Sequence, residues 1–254
     1  MNKKLLGLAI TAALSGAMNA QAFINFDTNG TAAGGVIQTD VFDWAPGNVL
    51  FQSLIQPGLG TTPFELYGHG SLSSFLLNGS FNAAAPAGSE FTYTFHIPML
   101  GSFTPTSTWD LNALSGGVFE IFYGAAANNN TITGGGFADG RLILQGSFNP
   151  DLAIAGDNGT VKVVTSSATK PLDGFGADNK PGVTSKIING NINFTIDATY
   201  ADSNFFLTDV VNSLIAFDLD LSSQLTAPFT QVNPSSIVGG VTGESSVFNP
   251  LSTL

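Results

Sequence analysis

The segment Phe91 to Ile97 constrains the chain most tightly: Phe91, Tyr93, Phe95 and Ile97 alternate with Thr92, Thr94 and His96 until Pro98, which lacks an amide hydrogen, stops the run. A period of two puts the rings on one face and the hydroxyls and His96 on the other, which is a strand with one dry and one wet side. The pattern recurs. Phe64, Leu66 and Leu72 share one parity, with Glu65, Tyr67, His69 and Ser71 on the other, so a strand with its polar side exposed is expected there. Ile192, Phe194, Ile196 and Ala198 alternate with Asn193, Thr195 and Asp197, and Phe217, Leu219 and Leu221 with Asp218 and Asp220. Turn dipeptides punctuate these runs at Asn78-Gly79, Asn158-Gly159 and Asn189-Gly190. Many short strands between such turns predict an all-β fold, a single antiparallel β-sandwich or jelly-roll-like domain.

The middle of the chain predicts a strand pair with a long connection. In Val118 to Phe148, Phe119, Ile121 and Tyr123 fall on one face with Glu120 opposite; in the second run Leu142, Leu144 and Phe148 share a face against Arg141 and Gln145. The Gly- and Asn-rich stretch between them is too poor in helix formers for a helix. A phosphate-binding role fails there, because Gly134-Gly135-Gly136 leads into a strand and not a helix. Phe205 to Ser213 fits either a short helix or a loop over the core.

Lys3 and Lys4, the apolar run Leu5 to Ala17 and Ala20-Gln21-Ala22 have the order of a secretory signal peptide, so residues 1–22 are expected to be removed and the product secreted. No later stretch reaches the roughly 18 uninterrupted apolar residues of a transmembrane helix. The β-sandwich domain is expected over residues 23–225, followed by a Pro-, Ser- and Gly-rich tail over 226–254, loosely held apart from one strand at Ile237 to Val241. The chain has no Cys, so its core must hold by packing without disulfides. Phe supplies 21 of the aromatics against 4 Tyr and 2 Trp, which suits pleated surfaces. Without Lys3 and Lys4, only Arg141, Lys162, Lys170, Lys180 and Lys186 stand against 18 acidic residues, a balance that repels phosphate backbones and argues against nucleic-acid binding. These bases all lie in one middle segment, so the middle of one molecule could meet an acidic end of another.

Candidate site residues are few. Trp44, in Phe42-Asp43-Trp44-Ala45-Pro46-Gly47-Asn48, is read either as a stacking platform for sugars or as a buried anchor of the loop; Trp109 is a second candidate for ligand contact. Asp173, Asp178 and Asn179 in Lys170 to Thr184 offer oxygen ligands to calcium, although the spacing is not that of an Asp-x-Asp-x-Asp-Gly loop and ordinary turn chemistry accounts for them better. Glu65 shares a strand parity with His69, which would allow a metal or acid/base pair. Both histidines stand among hydroxyls, but no Gly-x-Ser-x-Gly elbow accompanies them. No catalytic signature and no cofactor motif emerges.

Four segments taken in chain order add a resemblance. Phe42 to Asn48, Phe119-Glu120-Ile121-Phe122-Tyr123, Gly136-Phe137-Ala138-Asp139-Gly140-Arg141-Leu142-Ile143-Leu144 and Ala227-Pro228-Phe229-Thr230-Gln231-Val232-Asn233-Pro234 together resemble the flocculation-associated members of the PEP-CTERM group of secreted proteins. The resemblance implies a non-enzymatic surface or extracellular-matrix protein that helps cells aggregate within exopolysaccharide. The chain departs from that pattern after Asn249-Pro250, where no Val-Pro-Glu-Pro segment, apolar helix or terminal Arg cluster follows, so exosortase-dependent anchoring is not expected.

Three functions remain open on sequence. One is a secreted matrix protein promoting aggregation or biofilm, through self-association, exopolysaccharide contact or both. The second is a secreted carbohydrate-binding module, aided by calcium in one version. The third is a glycoside hydrolase or lyase, for which Glu65, Glu90 and Glu120 are the strand carboxylates available.

Overall fold

The computed structural model describes residues 23–31, 34–45, 47–52, 60–103, 108–130, 135–148, 158–163, 170–171, 184–185, 188–221 and 243–253. Among these the protein is all-β and contains no helix. The strands are β1 (Ile24–Asp27), β2 (Val36–Thr39), β3 (Val41–Trp44), β4 (Gly47–Gln52), β5 (Gly60–Leu77), β6 (Ser80–Ala83), β7 (Glu90–Phe103), β8 (Thr108–Ala113), β9 (Val118–Gly124) and β10 (Arg141–Phe148). They continue with β11 (Asn158–Val163), β12 (Lys170–Pro171), β13 (Thr184–Ser185), β14 (Ile188–Ala201), β15 (Leu214–Leu221) and β16 (Gly243–Thr253). β1 and β2 form a small ladder of their own and the others a 14-stranded sheet. All pairings are antiparallel except the short β13–β16 contact.

The large sheet curls until its pairings meet. From β5 the ladder runs through β7, β9, β10, β14, β15, β16 and β3 and returns to β5. The long strands β5, β7, β14 and β16 each change partners along their length, so β4, β8 and β11 continue the same walls where β3, β9 and β10 stop. The facing inner surfaces pack against each other as in a sandwich, each strand turning one side inward as the period of two requires.

The interior is filled with rings. Phe26 touches Phe42, Phe75, Phe91, Phe205 and Phe206, with centroids 5.0–6.2 Å apart, near one end of the core. Tyr93 meets Trp44, Phe95, Phe119 and Phe217. These edge-to-face, tilted and stacked pairs supply the packing that a chain without disulfides depends on. The β5 face beneath them is kept low by glycine: a Cβ on Gly70 would lie 2.7 Å from Tyr93 Cε1, and one on Gly68 would strike the Phe95 ring.

Several sequence expectations change in detail. Pro98 does not end its strand. It lies within β7 at the point where that strand exchanges β9, paired through His96, for β8, paired from Met99, so no ladder bond is missing on that side. In β10 the register shifts between Leu142 and Leu144, so Leu142 is only half-buried while Ile143, Leu144 and Phe148 face the core. The Phe205 to Ser213 region is a loop, pinned by the Phe26–Phe206 bridge, and Leu214 begins β15. The segment expected to be a loose tail returns to the sheet as β16; Ile237 to Val241 lies outside the described residues. The Asn78-Gly79 turn has φ of 53° and 73°, the positive pair that a type I′ hairpin demands.

Candidate binding surface on the outer wall

On the outward face of β5 and β7, residues two apart on each strand stand in rows. Tyr67 pairs in register with His96, and the next row along joins His69 and Thr94, with Glu120 beyond them on β9. The Tyr67 and His96 rings stack with centroids 4.6 Å apart and planes inclined by 12°. His96 Nε2 lies 2.6 Å from Glu65 Oε2, and both side chains are about 40% exposed. The Tyr67 phenol is held above its ordinary pKa, first by partial burial and then by the Glu65 charge. On β9 and β10, Gln145 Nε2 donates to Glu120 Oε1 at 2.7 Å, and exposed Tyr200 on β14 lies opposite Gln145. A stacked ring pair with a carboxylate, an amide and a second tyrosine thus stands on rigid strands and faces solvent.

The other half of the same wall is covered. The β9–β10 connection folds back so that Phe137 is buried against His69, with ring centroids 4.1 Å apart. Thr92 Oγ1 donates to the Phe137 carbonyl at 2.8 Å. The Glu90 carboxylate accepts the backbone N–H of Asn128 at 3.0 Å, and also the backbone N–H and side-chain amide of Asn129. Beneath this cover His69 is 1% exposed, and its Nε2 finds no hydrogen-bond partner among the described residues. Desolvation pushes its pKa down to about 3, so the ring is neutral at physiological pH. His69 was expected on the solvent side. It does lie on the outward face, but the connection makes that face interior, and Glu65 pairs with His96 instead.

Arg141, the chain's only arginine, forms an ion pair with buried Asp202 and lies over the Phe205 ring at 5.4 Å. Asp202 Oδ1 also accepts the Asn204 N–H at 3.0 Å, so this carboxylate ties the 202–213 loop to the start of β10.

The remaining sequence candidates fall as follows. Trp44 is 1% exposed, edge-on to Phe42 and Tyr93; it is the buried anchor, and its ring offers no outward face for a sugar. Trp109 lies on β8, opposite Phe103 and Val161 in register, and its side chain is outside the described part. Asp173, Asp178 and Asn179 lie outside the described residues. Among the described residues no three His, Asp or Glu side chains gather as a metal ion would require, and no helix is long and apolar enough to cross a membrane. Glu65, Glu90 and Glu120 have separate partners: His96, the Asn128–Asn129 backbone and Gln145. Sequence reading missed the roles of Tyr67, Glu90 and Phe137. Only strand parity hinted at Tyr67, and joining it to His96 needs the β5–β7 register.

Comparison with protein-family models, with curated proteins and with solved structures gives no match.

Proposed function

We propose that the protein is a secreted structural component of an extracellular matrix that contacts polysaccharide along its outer wall and promotes cell aggregation. The observation that carries this reading is the Tyr67–His96 stack braced by Glu65, with the Glu120–Gln145 pair and Tyr200 along the same face. Aromatic rings beside carboxylate and amide groups match a pyranose, whose apolar C–H face stacks and whose hydroxyls need both donors and acceptors. The acidic balance of the chain favours neutral or amine-bearing polymers over uronic-acid ones. A rigid strand platform suits a repetitive ligand, because equal rows of side chains meet equal sugar units. The signal-like first residues and the resemblance to flocculation-associated proteins support export and a matrix role.

Affinity electrophoresis through gels containing neutral polysaccharides tests the reading. Retardation of the wild-type protein, lost in Tyr67→Ala and His96→Ala, is the expected outcome. Equal mobility in every polysaccharide gel would remove the sugar contact from the proposal.

A further inference from the structure

The strongest feature left over is the way residues 125–130 and 135–140 are fastened across the outer wall. The fastenings of these residues lead to β7, to Gly88 just before it, or to His69. The Ala127 N–H donates to the Gly88 carbonyl at 2.9 Å, just before β7. Glu90 holds Asn128 and Asn129, Thr92 holds the Phe137 carbonyl, and the Phe137 ring covers His69. Within the connection, Asn128 Nδ2 donates to Asp139 Oδ2 at 3.0 Å. These residues are therefore held by polar bonds from Gly88, Glu90 and Thr92 and by one ring lying on an imidazole.

We propose that this connection is an acid-released strap: protonation of His69 expels Phe137 from the outer wall and uncovers the polar face of β5, β7 and β9 beside the Tyr67–His96 stack. The physics is that of a charge with nowhere to go. A protonated His69 must donate from both ring nitrogens, yet Nε2 has no acceptor among the described residues and almost no water contact. Lifting Phe137 is the shortest route to hydration, because its ring lies against the imidazole with centroids 4.1 Å apart.

The charged and titratable groups around it offer no internal relief. On its own strand Glu65 is taken by His96 of β7. Glu90 of β7 is taken by the Asn128 and Asn129 amides. Glu120 of β9 lies beyond Thr94 in the same row and is engaged by Gln145. On the strap itself Asp139 is engaged by Asn128, and across β4 the residue in register is Asn48, which carries no charge. Protonation of Glu90 would also loosen the strap, so the test must separate it from His69.

Between the ordinary histidine pKa of about 6.5 and the buried value of about 3, each unit of pH lowered shifts the closed–open equilibrium up to tenfold toward open. At about pH 4.5 that amounts to roughly a hundredfold.

Amide hydrogen exchange of the full-length protein, expressed as protection factors at neutral pH and at about pH 4.5, tests the strap. The expected result is a fall of about a hundredfold for Ala127, Asn128 and Asn129 in the wild type, with the β7 and β9 amides still protected and no fall in His69→Phe. Unchanged protection in the wild type would overturn the proposal. So would an equal fall in His69→Phe, which would assign the effect to Glu90, or a simultaneous loss across β7 and β9, which would be global unfolding. Should His69→Phe not fold, Phe137→Ala serves instead: proton NMR should find His69 titrating near its ordinary value, and a His69 still titrating as in the wild type would refute the strap.

Discussion

Gly68 lies directly beneath the ring of Phe95, its neighbour across the β5–β7 ladder, and the space a Cβ would take at Gly68 is already occupied by that ring. The inner wall is thus flat at Gly68 and Gly70 of β5, opposite the rings of Phe95 and Tyr93 on β7. Gly68→Ala is expected to destabilise the protein by about 1–3 kcal/mol, since the ring must leave its rotamer or the strands must separate. Urea denaturation checks this. A midpoint unchanged from wild type would mean the interior is looser than the ring contacts indicate.

Phe26 connects the small β1–β2 ladder to the main core through its five aromatic contacts. Phe26→Ala should cost about 3–5 kcal/mol, and Phe26→Leu appreciably less. If the alanine variant lost under about 1 kcal/mol in thermal or chemical denaturation, this end of the core would not be contributing as packed.

Asp202 is buried and serves two partners, whereas Arg141 is more than half exposed. The two halves of this ion pair should therefore respond unequally to substitution. Asp202→Ala removes the charge partner and the turn bond to Asn204, an expected loss of about 1–3 kcal/mol, while Arg141→Met keeps the apolar stem over Phe205 and should cost about 1 kcal/mol or less. Equal losses in both variants would show that the charge pair itself, and not the turn, holds the 202–213 loop.

The sign of the pH dependence follows from His69. Its folded-state pKa lies below the unfolded value, so the folded protein binds fewer protons, and stability is full above about 6.5 and falls as pH drops toward 3. The maximum loss is about 4–5 kcal/mol, capped at whatever it costs to open the Phe137 cover. Denaturation midpoints measured across that window should decline in wild type and stay flatter in His69→Phe. A wild-type profile as flat as the variant's would contradict the buried neutral ring.

Tyr67 gives a second titration. Burial is the larger cause of its raised pKa and Glu65 the smaller, so Glu65→Gln should bring the phenol down without restoring its ordinary value. Ultraviolet tyrosinate titration reads this. No movement in the variant would place Glu65 too far from the ring for the arrangement described.

Much of the sheet could be read from alternation alone, because a period of two is a local property. The core-facing residues Phe91, Tyr93, Phe95 and Ile97, Phe119 and Ile121, and Phe194, Ile196 and Ala198 fall as their patterns require, although Thr92, Thr94, Phe122 and Thr195 on the opposite parity are buried as well and Tyr123 is only half-buried. What could not be read depends on partners distant in sequence. Pro98 is tolerated because β7 changes neighbours there, and Leu142 is displaced by a bulge set against β9. His69 has a solvent-side parity and a buried environment, since a connection more than 50 residues later covers it. Trp44 is the reverse case: a residue whose type attracts a binding hypothesis fills a core position that β3 assigns by parity. The Glu65–His96–Tyr67 grouping needed only the correct register between two strands, but register is decided by turns and packing that no short window contains.

The circuit of pairings through β16 sets a timing for the molecule. β3, near residue 42, completes its ladder only against residues near 252, so the wall between the two stays open until almost all of the chain is present. Such closure is entropically late, and a partly made chain would expose its aromatic interior and two unsatisfied strand edges. A nascent chain of this design cannot finish folding from its front end.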